Sequence, residues 1–121
     1  MTLRIRPEIE RIKSDIIEIR RDIHKHPEVG FEVYRTASLV ADRLKQMGME
    51  VKEKVGKSGI VGTLYGGFPG PTIALRADMD ALPVKESGTA SYKSVNEGIM
   101  HACGHDGQIG RASCRERVCH R

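Results

Sequence analysis

The sequence predicts an α/β fold in which two helices are followed by β-strands. Three observations support this prediction: isoleucines at helical spacing near the start, a second helical set of apolar residues, and β-rich segments from residue 49 onward. With 121 residues, 39% of them hydrophobic and 30% charged, the chain is long enough to bury one modest core. We therefore expect one α/β unit rather than several domains.

The first predicted helix carries isoleucines at alternating steps of four and three residues, with mostly charged residues between them. These isoleucines are Ile5, Ile9, Ile12, Ile16, Ile19 and Ile23. Pro7 suits the first turn, where no amide hydrogen is needed, and Pro27 ends the helix near His24. Because the apolar stripe lasts for fewer than three heptads, it favours a face packed on a core over a coiled coil.

A second helix and three strands follow. The helix is predicted from the apolar residues Ala37, Val40, Ala41, Leu44 and Met47, and Gly48 stands where a left-handed residue ends a helix. Strands are predicted over residues 51–55, 60–65 and 72–77, with a glycine- and proline-rich turn at 66–71. No helical or strand periodicity applies after residue 77.

The net charge of +4 is concentrated at the end of the chain. Residues 109–121 contain four arginines against one glutamate, and they also contain two of the three cysteines. The part before them is nearly neutral and has one cysteine, Cys103. The sequence has neither an apolar run long enough for a bilayer nor the apolar region of a signal peptide, so we expect a cytoplasmic location.

Two carboxylates directly follow the third predicted strand. Asp78 and Asp80 could bind a hard cation, orient a metal-bound imidazole, or cap a turn. Taken alone, the pair favours the turn, because aspartate is common there.

Cys103 and His105 are two residues apart, so both side chains can point to one side of the backbone. A thiolate and an imidazole are ligands for zinc or another borderline divalent metal, and nearby glycines such as Gly104 suit a loop that approaches an ion. The competing interpretation is a buried cysteine beside surface histidines.

Four further polar residues have open roles. His101 and Asp106 lie beside the Cys103 and His105 pair. His24 and His26 stand at the end of the first helix, where the helix dipole and the exposed carbonyl groups favour histidine. A structural role is the favoured interpretation for this second pair.

Three segments together resemble a known family. Residues 21–31, 75–84 and 100–107, which read RDIHKHPEVGF, LRADMDALPV and MHACGHDG, are similar in order and spacing to the opening of the metal-dependent amidohydrolases related to aminoacylase and hippurate hydrolase. The resemblance implies that residues 1–107 are the N-terminal portion of a two-metal, exopeptidase-like catalytic domain. In this family a smaller domain interrupts the α/β sandwich and often serves dimerisation, so the full-length enzyme would be a homodimer.

The resemblance also implies roles for individual residues. Cys103 would be the thiolate that bridges two divalent ions, His105 would bind one of them, and Asp80 would be the carboxylate that orients a metal ligand. Asp78 stands where relatives outside this branch have a metal-binding histidine, which leaves its role open. The ions would be manganese or zinc, or else cobalt or nickel.

The chemistry implied is hydrolysis of the amide bond of N-acyl amino acids or related small amides. Bound ions would activate a water molecule, and a glutamate would act as general base and then as general acid. That glutamate has no counterpart in this chain, and two ligands cannot hold a dinuclear site. We therefore expect the isolated chain to be inactive.

Residues 108–121 do not continue the resemblance. The family has a histidine where this chain has Gln108, and residues 109–118 read as the translation of a common sequencing-adapter sequence. We therefore predict that residues 108–121 are a non-native tail that belongs to no domain.

Two alternatives use this tail. A small basic module could contact nucleic acid or a membrane, but the tail has neither aromatic residues for stacking nor an amphipathic period. A zinc knuckle could be formed by Cys103, His105, Cys114, and Cys119 or His120, but the intervals do not match structural zinc sites. We therefore expect a small-molecule substrate as the partner, and neither nucleic acid nor a membrane.

Overall fold

The computed structural model describes residues 6–112, which form three helices and a two-stranded sheet. In chain order these are α1 (Pro7–Lys25), α2 (Tyr34–Gln46), β1 (Glu50–Val55), β2 (Gly59–Thr63) and α3 (His105–Ala112). The mixture of helices and strands confirms the predicted α/β class.

Helix α1 has the predicted boundaries. Pro7 occupies the first turn, and the helix ends at Lys25, after which His26 leaves the helical region with φ −121° and ψ 62°. Three isoleucines of the stripe are buried and form the core with two residues from other helices, whereas Ile9 is 39% exposed and Ile5 lies outside the described residues. The buried members of this core are Ile12, Ile19, Ile23, Val40 and Ile109. None of the helices within residues 6–112 is both long enough and apolar enough to cross a membrane.

Helix α2 is held at both ends. At its start, the Glu28 carboxylate accepts hydrogen bonds from the backbone N–H groups of Arg35, at 2.9 Å, and Thr36, at 2.8 Å. At its end, Gly48 has the predicted left-handed conformation, with φ +79°. The Gly48 N–H bonds to the Lys45 carbonyl and the Met49 N–H to the Leu44 carbonyl, which is the Schellman pattern.

Strands β1 and β2 form an antiparallel hairpin. Glu50 pairs with Thr63, and the register shifts between Lys52 and Val55, which is characteristic of a β-bulge. The hairpin packs against α2, and most of its residues are exposed or half-buried. Two of the three predicted strands are thus present.

The third predicted strand, over residues 72–77, is wrong for this structure. No ladder forms there within the described residues, and the side chains of Ile73 and Leu75 are 83% and 61% exposed. A β-rich sequence forms a strand only when a neighbouring strand accepts and donates its backbone hydrogen bonds. No such neighbour lies beside this segment in the described part of the chain.

Helix α3 is an element that the sequence pattern did not reveal. Gly107 and Gly110 interrupt its eight residues and weaken a helical pattern. Packing compensates, because Ile109 joins the core and the Gly110 Cα faces the backbone of Arg20 on α1. The helix runs across the predicted boundary after residue 107. The non-native origin of residues 108–121 stays a prediction.

Candidate metal centre

The three segments of the resemblance are neighbours in space. Residues 28 and 29 follow α1, and Val29 pairs with Ala81 in an isolated parallel bridge, where the Ala81 N–H donates to the Glu28 carbonyl at 2.7 Å. Leu82 and Met100 form an antiparallel bridge with two hydrogen bonds of 3.0 Å. These two bridges bring together three segments: the residues after α1, the loop with Asp80, and the segment that leads to α3.

Asp80 holds the ring of His105. The Nδ1–H of His105 donates to the carbonyl oxygen of Asp80 at 2.9 Å and to its Oδ1 at 3.1 Å. A ring proton on Nδ1 leaves the lone pair on Nε2. The nearest ionic partner of Nε2 is Oδ2 of Asp78 at 3.9 Å, which is beyond hydrogen-bond distance. Nε2 is therefore available to bind a metal ion.

Cys103 supplies the second candidate donor. Its thiol is free and exposed, and it is separated from His105 by Gly104, which has φ +85°. A thiolate and an imidazole nitrogen suit zinc and other borderline ions. Within residues 6–112, no group of three or more histidine, cysteine or acidic side chains is arranged to hold a metal ion. A complete set of metal ligands is therefore not present within the described residues.

Asp78 divides its carboxylate between two neighbours. Its Oδ2 lies 3.9 Å from Nε2 of His105, whereas its Oδ1 accepts a hydrogen bond from Nε of Arg76 at 3.0 Å and forms an ion pair with Nη2 of Arg76 at 3.0 Å; the arginine side chain is 88% exposed. An ion pair this exposed contributes little to stability. The role of Asp78 stays open.

The two histidines at the end of α1 have different surroundings. The Nδ1–H of His26 donates to the carbonyl of Asp22 at 2.9 Å, a contact that the structural interpretation of this residue predicts. The ring of His24 is instead buried between two carboxylates: Nδ1 donates to Oδ2 of Asp106 at 2.8 Å, and Nε2 donates to Oε1 of Glu86 at 3.0 Å. The helix-end carbonyl groups therefore do not explain His24.

Glu86 is a residue that the sequence did not single out. Burial by itself raises the pKa of its carboxyl. Hydrogen bonds from the Ser94 N–H, at 2.7 Å, and from His24 together outweigh burial, so the pKa lies below the ordinary 4.5. Glu86 stands in an aperiodic polar stretch, and no local pattern distinguishes it. Only the fold places it against His24.

Asp106 is the second carboxylate that contacts His24, through the Nδ1 side of the ring. Its Oδ2 also forms an ion pair with Nε of Arg20 at 2.8 Å, and its Oδ1 accepts a hydrogen bond from the Gly107 N–H at 2.9 Å. The one available sequence signal was its position directly after His105.

His101 is buried, and neither of its ring nitrogens has a hydrogen-bond partner within the described residues. Burial lowers the pKa of its imidazole. Its ring centroid lies 6.5 Å from that of His24. Cys114, Cys119 and His120, which the zinc-knuckle alternative requires, lie outside the described residues.

Comparisons with known proteins agree with the motifs and the fold. Residues 74–114 match the Peptidase family M20/M25/M40. The chain is 52% identical over 101 residues to hippurate hydrolase from Campylobacter jejuni, and 47% identical over 107 residues to thermostable carboxypeptidase 2 from Saccharolobus solfataricus. These alignments cover 84% and 88% of this chain but 26% and 27% of the relatives.

A solved structure is also similar. The YXEP protein of Bacillus subtilis, described as a dinuclear metal binding peptidase from the M20 family, superposes with a TM-score of 0.84 at 33% identity. The superposition covers 90% of this chain and 31% of that one.

The fold and the matched segments are similar to those of the peptidases of family M20/M25/M40, which confirms the predicted resemblance. The chain spans about a quarter of the length of the curated relatives that it matches. The comparisons do not support the basic-module or zinc-knuckle alternatives.

Proposed function

We propose that this chain is a segment of an enzyme that hydrolyses the amide bond of N-acyl amino acids or related small amides with the help of divalent metal ions. The observation that carries the proposal is the pair of hydrogen bonds from Nδ1 of His105 to Asp80, which leaves Nε2 available for a metal. The name of the relative from Campylobacter jejuni supports the substrate class, because hippurate is an N-acyl amino acid. The description of YXEP supports a dinuclear centre.

In this proposal, Cys103 binds as a thiolate and His105 binds through Nε2. Asp80 keeps the ring of His105 in the required tautomer and orientation, as carboxylates do beside metal-bound histidines. When bound, the metal ions would polarise the substrate carbonyl and lower the pKa of a water molecule. No residue of this chain corresponds to the glutamate that would move the proton, so we expect hydrolysis only in a longer protein.

The finer features of the predicted function are also proposals. They are a preference for manganese or zinc over cobalt or nickel, a cytoplasmic location, a homodimer, and the absence of nucleic-acid and membrane partners. Metal analysis of the purified longer protein, cell fractionation and a mass measurement in solution test the first three. Salt-dependent binding to nucleic acid and to anionic vesicles tests the last.

Titration with Co²⁺ tests the proposed ligands, because a thiolate bound to Co²⁺ gives charge-transfer absorption in the near ultraviolet. The parent for this test is the reduced chain with Cys114→Ser and Cys119→Ser, in which Cys103 is the remaining cysteine. We expect the band in this parent, no band when Cys103→Ser is added, and weaker binding when His105→Gln is added. His26→Gln in the same parent is the matched control and should not change binding. A band that persists with Cys103→Ser, or no band in the parent, would contradict the proposed ligands.

A further inference from the structure

A buried ionic cluster connects helix α1 to the first turn of α3. It consists of His24, Glu86, Asp106 and Arg20, and we call it the His24 clamp. His24 is 3% exposed, Glu86 8% and Asp106 1%, so the ring and both carboxylates are removed from water. Arg20 is at the edge, with its side chain 36% exposed.

Both ring nitrogens of His24 are committed. Each nitrogen lies within hydrogen-bond distance of the carboxylate oxygen that it faces. The contacts are 2.8 Å to Asp106 and 3.0 Å to Glu86. The edge of the Tyr92 ring closes the cluster, with its centroid 5.6 Å from that of His24. His24 therefore has no free nitrogen with which to bind a metal or a substrate.

The clamp ends beside the candidate ligand. Asp106 directly follows His105, and its two carboxylate oxygens have different tasks. Oδ1 accepts a hydrogen bond from the Gly107 N–H within α3. Oδ2 is hydrogen-bonded to His24 and forms an ion pair with Nε of Arg20, both on α1. The first turn of α3 is therefore attached to α1 through one side chain.

We propose that the His24 clamp is a positioning device for His105. Through Asp106 it fixes the backbone at residues 104–107 relative to α1, while Asp80 fixes the ring of His105 from the other side. His24 is thus a positioning residue that does not touch the metal. The inference rests on the proposed function only in that it takes His105 to be a ligand.

Amide hydrogen exchange of the metal-free full chain tests the positioning directly. In His24→Gln and in Asp106→Asn we expect the amides of Gly107 and Gln108, whose N–H groups bond to the Gly104 carbonyl at 3.1 and 3.2 Å, to exchange at least about tenfold faster, because the first turn of α3 is no longer attached to α1. The amides within α2 should change by less than about twofold. His26→Gln, at the same end of α1, is the matched control and should change the exchange rates of neither group of amides.

Co²⁺ binding supplies the second readout. We expect the dissociation constant to rise about 10- to 100-fold in His24→Gln, as it does when groups that orient a metal ligand are removed. Glu86→Gln loses one of two acceptor oxygens and should give a smaller effect in the same direction. It serves as the second variant if His24→Gln does not fold.

The outcomes separate this inference from the proposed function. Unchanged exchange of the Gly107 and Gln108 amides in the clamp variants would overturn the inference. So would equal acceleration in α2, which indicates a general stabilising role, or unprotected amides at 107 and 108 in the unsubstituted chain. If the clamp variants accelerate exchange at 107 and 108 but no thiolate band forms with Co²⁺, the proposed ligands fail and the positioning of α3 stands.

Discussion

Nδ1 of His105 lies 2.9 Å from the backbone carbonyl oxygen of Asp80 and 3.1 Å from its carboxylate Oδ1. One residue therefore orients the ring through both its main chain and its side chain. Because a side-chain substitution leaves the carbonyl in place, we expect it to weaken metal binding without abolishing it.

Asp80→Ala should raise the dissociation constant for Co²⁺ by about tenfold, at the lower end of the range for groups that orient metal-bound histidines. Asp42→Ala is the matched control, because Asp42 is an exposed carboxylate on helix α2. Its dissociation constant should change by less than about threefold. If the two substitutions have equal effects, the orienting role of Asp80 is wrong.

Glu28→Ala should destabilise the chain. The Glu28 carboxylate accepts hydrogen bonds from the N–H groups of Arg35 and Thr36 and from the Thr36 hydroxyl, and so it caps α2. We expect the free energy of unfolding to fall by about 2 kcal/mol, which denaturant titration measures. Glu32→Ala, at an exposed position, should change it by less than about 0.5 kcal/mol. If Glu28→Ala lowers the free energy of unfolding by less than about 0.5 kcal/mol, the Glu28 cap does not stabilise α2 measurably.

These residues show what local patterns could predict. The isoleucine spacing of α1 and the glycine after α2 encode structure over a few residues, so both helices followed from the sequence. Helix α3 did not, because its two glycines hide the pattern and its packing on α1 stabilises it. Residues 72–77 have strand composition but no pairing neighbour within the described residues.

In the candidate site, too, some residues could be predicted from a local pattern and others could not. Cys103 and His105 are two residues apart, which local chemistry can recognise. The contacts of His24 join residues 62 and 82 positions apart in the sequence, to Glu86 and Asp106 respectively. No periodicity predicts contacts at that range, and only the folded chain reveals them.

Glu86 should make the stability of the chain depend on acidic pH. Its pKa is lower in the folded chain than the ordinary 4.5, so its contribution is fully present above pH 4.5 and is lost as the pH falls through the folded pKa. We expect the difference in unfolding free energy between the unsubstituted chain and Glu86→Gln to shrink between pH 6 and pH 3.

The matched control is Glu97→Gln, because Glu97 pairs with Lys85 in an exposed ion pair. Glu97→Gln should change the free energy of unfolding only slightly at pH 6 and at pH 3. A difference for Glu86→Gln that stays constant from pH 6 to pH 3 would contradict the lowered pKa.

His101→Phe should leave the stability unchanged or increase it by up to about 1–3 kcal/mol, because two buried nitrogens without partners are removed. His26→Phe is the comparison, since it loses the bond to the Asp22 carbonyl and should cost about 1 kcal/mol. Thermal and denaturant unfolding measure both changes. A loss above about 1 kcal/mol for His101→Phe would indicate that His101 has a partner in solution.

Resequencing across codon 108 should restore a longer reading frame. The resemblance places a histidine at position 108, and residues 109–118 read as translated adapter, so we propose that residues 108–121 are not native. The fold adds a constraint, because a Cβ atom on Gly110 would lie 3.5 Å from the backbone nitrogen of Arg20. That is contact distance, so the restored frame should encode a small residue at 110. Independent long reads that reproduce the codons for 109–118 would disprove the proposal.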